Sequence, residues 1–498
     1  MSSAPPALST EPAPSERQGA RTPMILLIAC AAQFMVVLDV SIVNVALPDM
    51  KASLGLSPAG QQWIVNAYTL AFAGLLLLGG RAADLVGARR TFLAGLVLFA
   101  AASLACGLSG DGTTLIAARA VQGLGGALLA PATLTLIMTT FTEPRSRMRA
   151  MGTWSSVNGG GGAAGAVVGG LLTEYAGWRW VFFVNIPIGL AILAAALLYV
   201  PAVRGSHGGL RRLDLPGALS VTVGLTALVY GIISTESSPW GSPHVWGALS
   251  LGILFLAAFV LIESKVAAPL VPLAVLRRRT LAIANLVMIG LGSAMFAMWF
   301  LLSLYMQQVL GFSAVKTGLL FLPGCVAVIV GTRTSAHLVR RIGPRSLLVT
   351  GMAVSTFGFL WLSRIAVGGV FTTDVAPPFG LCALGLGMAM LPVTAAATTG
   401  IQPREAGLAS GLVNTSRQVG GALGLAILAA VASHGVAEHL VPGVQALTAG
   451  YGRAFLFAAL FTACAAFGSF FLPGRPATAG PGATAPGPGA GLTSGGAA

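Results

Sequence analysis

Charge is what this chain has least of. Only 8% of its 498 residues are Asp, Glu, Lys or Arg, where a soluble domain carries about 25%. So little polar surface cannot cover a globule of this size in water, but it suits a chain whose solvent is lipid. Cysteine is scarce too: Cys30, Cys106, Cys325, Cys382 and Cys464 lie in or at the ends of apolar segments with no CxxC spacing. That excludes a disulfide framework or a cysteine metal site and leaves small buried hydrophobes. The five histidines, His207, His244, His337, His434 and His439, all fall in loops or at segment ends. None is placed to relay protons through a membrane interior. There is no HExxH, no Cys/His cluster, no phosphate-binding glycine loop and no soluble stretch large enough for catalysis, which removes the usual grounds for an enzyme. Lysine numbers 3 against 25 arginines, with abundant Ala and Gly, which points to a GC-rich bacterial genome.

What the chain does have is apolar runs. It is 55% hydrophobic with a mean hydropathy of +0.85. Runs near twenty residues occur at 24–47, 63–80, 91–109, 114–138, 151–172, 181–200, 214–234, 246–263, 281–306, 317–339, 346–363, 376–400, 409–431 and 453–473, each long enough to cross a bilayer as a helix. They do not alternate in polarity as barrel strands would. The expected class is therefore an all-α polytopic membrane protein with fourteen spans. Residues 1–22 and 474–498, rich in Pro, Ser, Ala and Gly, are expected to be disordered cytoplasmic tails. The run from Met24 is too long for the h-region of a cleaved signal. Net charge is +14, which could suggest nucleic acid, but the basic residues sit in short clusters between apolar runs. With the N-terminus inside, inner segments hold twenty Lys and Arg against five in outer ones. Both termini are expected in the cytoplasm.

Five features carry chemistry. Asp39, in the outer half of the first run, is the one acid well inside an apolar segment. A carboxylate there costs about 2.5–3.5 kcal/mol on insertion scales and is a functional-site hypothesis by default. A low dielectric disfavours its charged form, so it is a candidate to gain and lose a proton. The alternative is a carboxylate permanently hydrogen-bonded to a neighbouring helix. Arg119, with Gln122 three residues on, stands early in the fourth run; it either snorkels to the surface or faces a cavity and modulates Asp39. The stretch GRAADLVGARR, from Gly80 through Asp84 and Gly87 to Arg89 and Arg90, allows a tight charged turn suited to a cytoplasmic gate. Gly161, Gly165 and Gly169, with Gly170 beside them, fall four apart on the fifth run, a small-xxx-small packing face. Arg417 and Gln418 put a second positive charge inside a late run, either lining a cavity or pairing structurally. Asn44, Asn158 and Asn414 are further candidates to line a cavity.

The 80–90 loop has an echo at 340–345, and Val157-Asn158 has one at Val413-Asn414, both at an offset of 256 residues. Two homologous halves are the expected architecture: a six-helix bundle over 23–203, a linker with two extra helices over 204–280, and a second six-helix bundle over 281–473.

At these residues the chain resembles the major facilitator superfamily, and within it the fourteen-helix drug:proton antiporter branch. Residues 38–48 look like that branch's first-helix motif, 80–90 like the loop motif after helix two, and Arg119 to Gly123 like the RxxQG motif of helix four. WRWVFFVNIPIG at 178–189 and GLASGLVNTSRQ at 407–418 are more distinctive. Ala166 stands where the fifth-helix GPxxGG motif has proline, and Leu85 and Ala88 replace usually basic residues of the loop, leaving its charge to Arg89 and Arg90. The resemblance implies alternating access by the two bundles. It carries Asp39 and Arg119 over as proton-coupling residues, and Asp84 with the following arginines as the cytoplasmic gate.

The expected function is proton-coupled export of a hydrophobic drug or antibiotic across the bacterial plasma membrane, conferring resistance. The alternative is a facilitator or proton symporter importing a small metabolite. The expected partners are the hydrophobic substrate, protons and the bilayer, with no nucleic acid. A proton gradient is the energy source in place of any cofactor, and a monomer is the expected functional unit.

Overall fold

The computed structural model describes residues 14–201, 213–266, 269–398, 406–437 and 443–472. The first half comprises α1 (Pro14–Leu54), α2 (Pro58–Val86), α3 (Ala88–Leu108), α4 (Gly112–Thr140), α5 (Pro144–Ala176) and α6 (Trp180–Tyr199). Two helices follow, α7 (Leu215–Ser234) and α8 (Pro243–Lys265). The second half comprises α9 (Arg279–Val309), α10 (Ala314–Val339), α11 (Pro344–Leu362), α12 (Phe371–Thr398), α13 (Ala406–Ala437) and α14 (Val444–Ser469). Among the described residues, thirteen helices are long and apolar enough to cross a membrane. The remaining one, α5, has 33 residues; its basic first turn is followed by a glycine-rich stretch.

The first helix begins at Pro14, inside the stretch 1–22 expected to be a disordered tail. The physical reason is local: proline suits the first helical turn, and Glu16, Arg17 and Gln18 are good helix formers, so the apolar helix extends backwards. Residues 1–13 and the second expected tail lie outside the described residues, as do His207 and His439.

Local signals explain most helix starts. Ser57 caps α2 by accepting from the Gly60 N–H at 3.0 Å, with Pro58 in the first turn. Asp111 caps α4 through the Thr114 N–H at 2.9 Å. Both satisfy N–H groups that a helix start leaves without partners.

The repeat holds at the level of backbone. Gly55 and Gly311 have φ of 61° and 65°, and Gly87 and Gly343 have 105° and 81°, each pair 256 residues apart. Ser57 and Ser313, at the same offset, both cap the helix that follows. Packing repeats as well. In the first half α1 packs on α5, and α2 and α3 on α4; in the second, α9 packs on α13, and α10 and α11 on α12. The halves meet where α2 lies along α13, α5 along α10 and α1 beside α9.

The inserted pair is not a detached appendage. Helix α7 packs on α8 and also on both α2 and α13, so it covers one seam between the halves. Its fit to α2 is close: a methyl group on Gly74 would come 2.1 Å from the Thr222 hydroxyl. Helix α8 is peripheral and turns Ile253, Leu254 and Leu261 outward. A band of large exposed aliphatics is what a lipid-facing surface requires.

Candidate functional site

The first half encloses a polar network in an apolar interior. Asp39 is fully buried (0% exposed), and three side chains donate to it. Arg119 reaches Oδ2 through Nη1 at 2.6 Å, while Gln122 Nε2 and Asn185 Nδ2 reach Oδ1 at 2.7 Å and 2.9 Å. Ser103 lies beneath them, its hydroxyl oxygen accepting from Gln122 at 2.7 Å and Asn185 at 3.3 Å. Helices α1, α3, α4 and α6 each contribute to one constellation.

Arg119 does not snorkel. It is 1% exposed, and its Nε donates to the Ile64 carbonyl on α2 at 3.1 Å. Its Nη1 also donates to Gln122 Oε1 at 2.6 Å. The guanidinium carbon sits 4.4 Å from the Tyr68 ring centroid and 5.7 Å from that of Phe182, within cation–π range. Glycine makes this possible. A methyl group at Gly123 would fall 2.4 Å from the Tyr68 carbonyl oxygen, so α4 approaches α2 closely only because position 123 lacks a side chain. Taking two charges out of water costs several kcal/mol each, and a buried pair survives only when further hydrogen bonds satisfy both partners. Here both are so satisfied.

The glycine face of α5 packs on α1. Methyl groups at Gly161, Gly165 and Gly169 would meet Val37 Cβ at 3.1 Å, Ser41 Cβ at 2.7 Å and the Ile42 carbonyl at 2.9 Å. The Ser41 hydroxyl donates across this contact to the Gly162 carbonyl at 2.7 Å. Gly170 faces the other way, toward α10, where a methyl group would come 2.6 Å from the Ala314 carbonyl.

The loop motif lies far along α2. A methyl group at Gly80 would lie 3.8 Å from Pro131 Cβ on α4, and Gly87 supplies the positive φ that turns α2 into α3. Arg89 donates to the Leu197 carbonyl of α6 at 3.0 Å, within its own half. Asp84 and Arg90 are exposed, and Asp84 lies in the field of Arg81. Arg81 reaches further, donating to the Pro269 carbonyl at 2.7 Å.

The remaining candidates stand apart from Asp39. Asn44 bonds its own helix through the Val40 carbonyl at 3.0 Å. Arg417 donates to Asn414 Oδ1 at 2.9 Å through Nη2, and Gln418 is buried on the same helix, α13. The Asn158 side chain lies outside the described residues.

Sequence reasoning missed Asn185, Ser103 and Tyr68 as members of the network. Asn185 had a signal, being an amide inside an apolar run; Ser103 and Tyr68 had none, since membrane helices use both residue types routinely. It also passed over a buried acid at the edge of a run. Glu263, the last residue of the eighth run, is 3% exposed and accepts from the Val271 N–H at 3.1 Å. Its position at a run's edge hid its burial, which the segment 269–271 creates by folding back on it.

Comparison with known proteins agrees with this architecture. The model of the Major Facilitator Superfamily matches residues 29–425. Cephamycin export protein CmcT of Amycolatopsis lactamdurans is 43% identical over 438 residues, 88% of this chain and 89% of that protein. Puromycin resistance protein pur8 of Streptomyces alboniger is 44% identical, covering 83% of this chain and 82% of that one. The tetracenomycin C resistance and export protein of Streptomyces glaucescens is 36% identical over 82% of this chain and 76% of its own. Among solved structures, an auto-inhibited POT family peptide transporter superposes with a TM-score of 0.63 at 16% identity, covering 90% of this chain and 97% of that one. An inward-facing bacterial homologue of the lysosomal transporter Spinster gives 0.61 at 15% identity, covering 90% and 95%; both show the fold. With its repeated halves and a family match across most of its length, this chain belongs to the major facilitator superfamily.

Proposed function

We propose that this chain exports a hydrophobic drug or antibiotic from a bacterial cell by alternating access, driven by proton entry, with Asp39 as the proton-binding carboxylate. The observation that carries the reading is the buried Asp39–Arg119 pair with its amide donors. Ionised, Asp39 accepts three hydrogen bonds and balances the guanidinium. A proton on Asp39 removes that balance: Arg119 keeps the Ile64 carbonyl, Gln122 and the Tyr68 ring, but loses its counter-charge. Proton and guanidinium thus compete for one carboxylate at the junction of α1 with α4 and α6, so protonation changes how those helices hold together. Names among the relatives, export and resistance proteins for cephamycin, puromycin and tetracenomycin, support an antibiotic as cargo. The Lys and Arg distribution supports cytoplasmic termini, which makes the other end of the bundle the outer face.

The test is accumulation of a panel of antibiotics in a pump-deficient host. Cells carrying the chain are expected to accumulate less drug, to lose that protection with an uncoupler, and to lose it with Asp39→Asn at near-normal expression. Gradient-driven export by Asp39→Asn would remove the carboxylate from the coupling role. Inward accumulation of a metabolite would replace export with import.

A further inference from the structure

Glu174 lies near the end of α5, two residues beyond the apolar run 151–172, and its partner belongs to the other half of the molecule. Its Oε2 accepts the Val315 N–H at 2.9 Å, and the Ser313 hydroxyl also donates to it. Val315 is in the first turn of α10, where N–H groups have no partner within the helix. Ser313 takes one of them, the Lys316 N–H at 3.3 Å; Glu174 takes another from across the seam. Below this contact the two helices touch backbone to backbone. A methyl group at Gly170 would lie 2.6 Å from the Ala314 carbonyl, and one at Gly318 would lie 2.3 Å from the Ala166 carbonyl. A third contact of the closure runs between α1 and α9, where Ser303 and Gln307 donate to the Asn44 and Val45 carbonyls at 3.0 Å and 3.1 Å.

We propose that Glu174 is the latch of the outer gate: its carboxylate caps α10 from the opposite half and holds the α5–α10 seam shut while the outer face is closed. The inference rests on the alternating-access reading above. A negative charge at a helix N-terminus is favourable and decays within the first turn, so the latch is strong when the halves touch and vanishes when α10 swings away. The other charges facing it are Asp49 on α1, which repels it, and Lys316 on α10, which sits over the Phe312 ring at 3.6 Å. The hydrogen bonds from Val315 and Ser313 hold the Glu174 carboxyl below its ordinary range. A depressed acid stabilises the closed state fully above the ordinary carboxylate value, about 4.3, and loses that contribution as pH falls through the lowered one. At neutral pH the latch is therefore always charged. It sets the ease of opening and leaves proton coupling to Asp39.

The experiment uses the full chain in intact cells with Cys464→Ser, which removes the exposed native thiol, and Thr317→Cys as reporter. Thr317 is buried on α10 one turn below the latch. Labelling by a membrane-impermeant maleimide from outside reads opening of the seam. Glu174→Gln is expected to speed labelling about 5- to 20-fold, the low end for losing a charge-assisted hydrogen bond because this one is solvent-exposed. Glu174→Lys is expected to speed it more, and Glu174→Asp by no more than about threefold. The pH profile of export keeps its shape in Glu174→Gln. Labelling within twofold of the parent in both Glu174→Gln and Glu174→Lys overturns the latch. A parent chain that exports drug and opens under a proton gradient, yet ignores Glu174, fails the latch alone; one that neither exports nor opens fails the transport reading.

Discussion

Arg119 illustrates how much one side chain is asked to do. Its planar fork holds Asp39, Gln122 and the Ile64 carbonyl at once while its face lies against Tyr68. Lysine offers a point charge on a flexible stem and cannot reproduce that geometry. Arg119→Lys is therefore expected to fold but to lose export about tenfold or more, measured as drug accumulation at matched expression. Arg119→Ala is harsher, since it leaves a buried carboxylate with no counter-charge, a loss of about 3–5 kcal/mol. A lowered melting temperature of the purified protein checks it. The double variant Asp39→Asn/Arg119→Ala carries no buried charge there and is expected to recover much of that stability while remaining dead for export. If the double variant is no more stable than Arg119→Ala, the pair is not what the surrounding helices are organised to satisfy.

At the scale of elements, α1 packs tightly against α5 beside the site. Gly165 has no room for a side chain, with the Leu38 carbonyl 2.8 Å from where a methyl group would sit. Gly165→Val must push α5 off α1 and shift the helix that bears Asp39. A melting temperature several degrees lower and reduced export are expected, consistent with overpacking costs of about 1–3 kcal/mol. Position 166 behaves differently. Proline inside a helix strands the carbonyl four residues earlier and costs about 3 kcal/mol. Here that carbonyl belongs to Gly162, and Ser41 already donates to it at 2.7 Å. Ala166→Pro is thus expected to cost no more than about 1 kcal/mol and to preserve export. Adding Ser41→Ala should expose the full penalty, read as a further fall in melting temperature.

For the whole molecule, charge balance limits the cargo. The deep carboxylate is neutralised by Arg119, and a second interior arginine, Arg417, has a neutral partner in Asn414. A dication entering this interior finds little to compensate it, whereas neutral, singly cationic or anionic compounds lose less on desolvation. Dications are expected to be exported at least about tenfold less efficiently than neutral analogues of similar size, in an assay of resistance across a matched series. Equal export of a dication would mean that Glu263 or another acid reaches the cargo.

Composition and run length were enough to establish a helical membrane protein, and the motif echoes at an offset of 256 residues pointed to repeated halves. Lipid permits only chains whose backbone is satisfied within each segment, so apolar length is the signal itself. Asp39 and Arg119 were legible because a charge inside such a run is rare and expensive. Their pairing stood only as one of two readings of Arg119, because they are 80 residues apart and periodicity says nothing about which helix faces which. Only the packed structure put Asn185 and Ser103 beneath the carboxylate, buried Glu263 against a returning segment, and laid α7 across the seam of α2 and α13. These depend on close approach between distant helices, and that approach is set by glycines whose role appears only when the opposing backbone is in place.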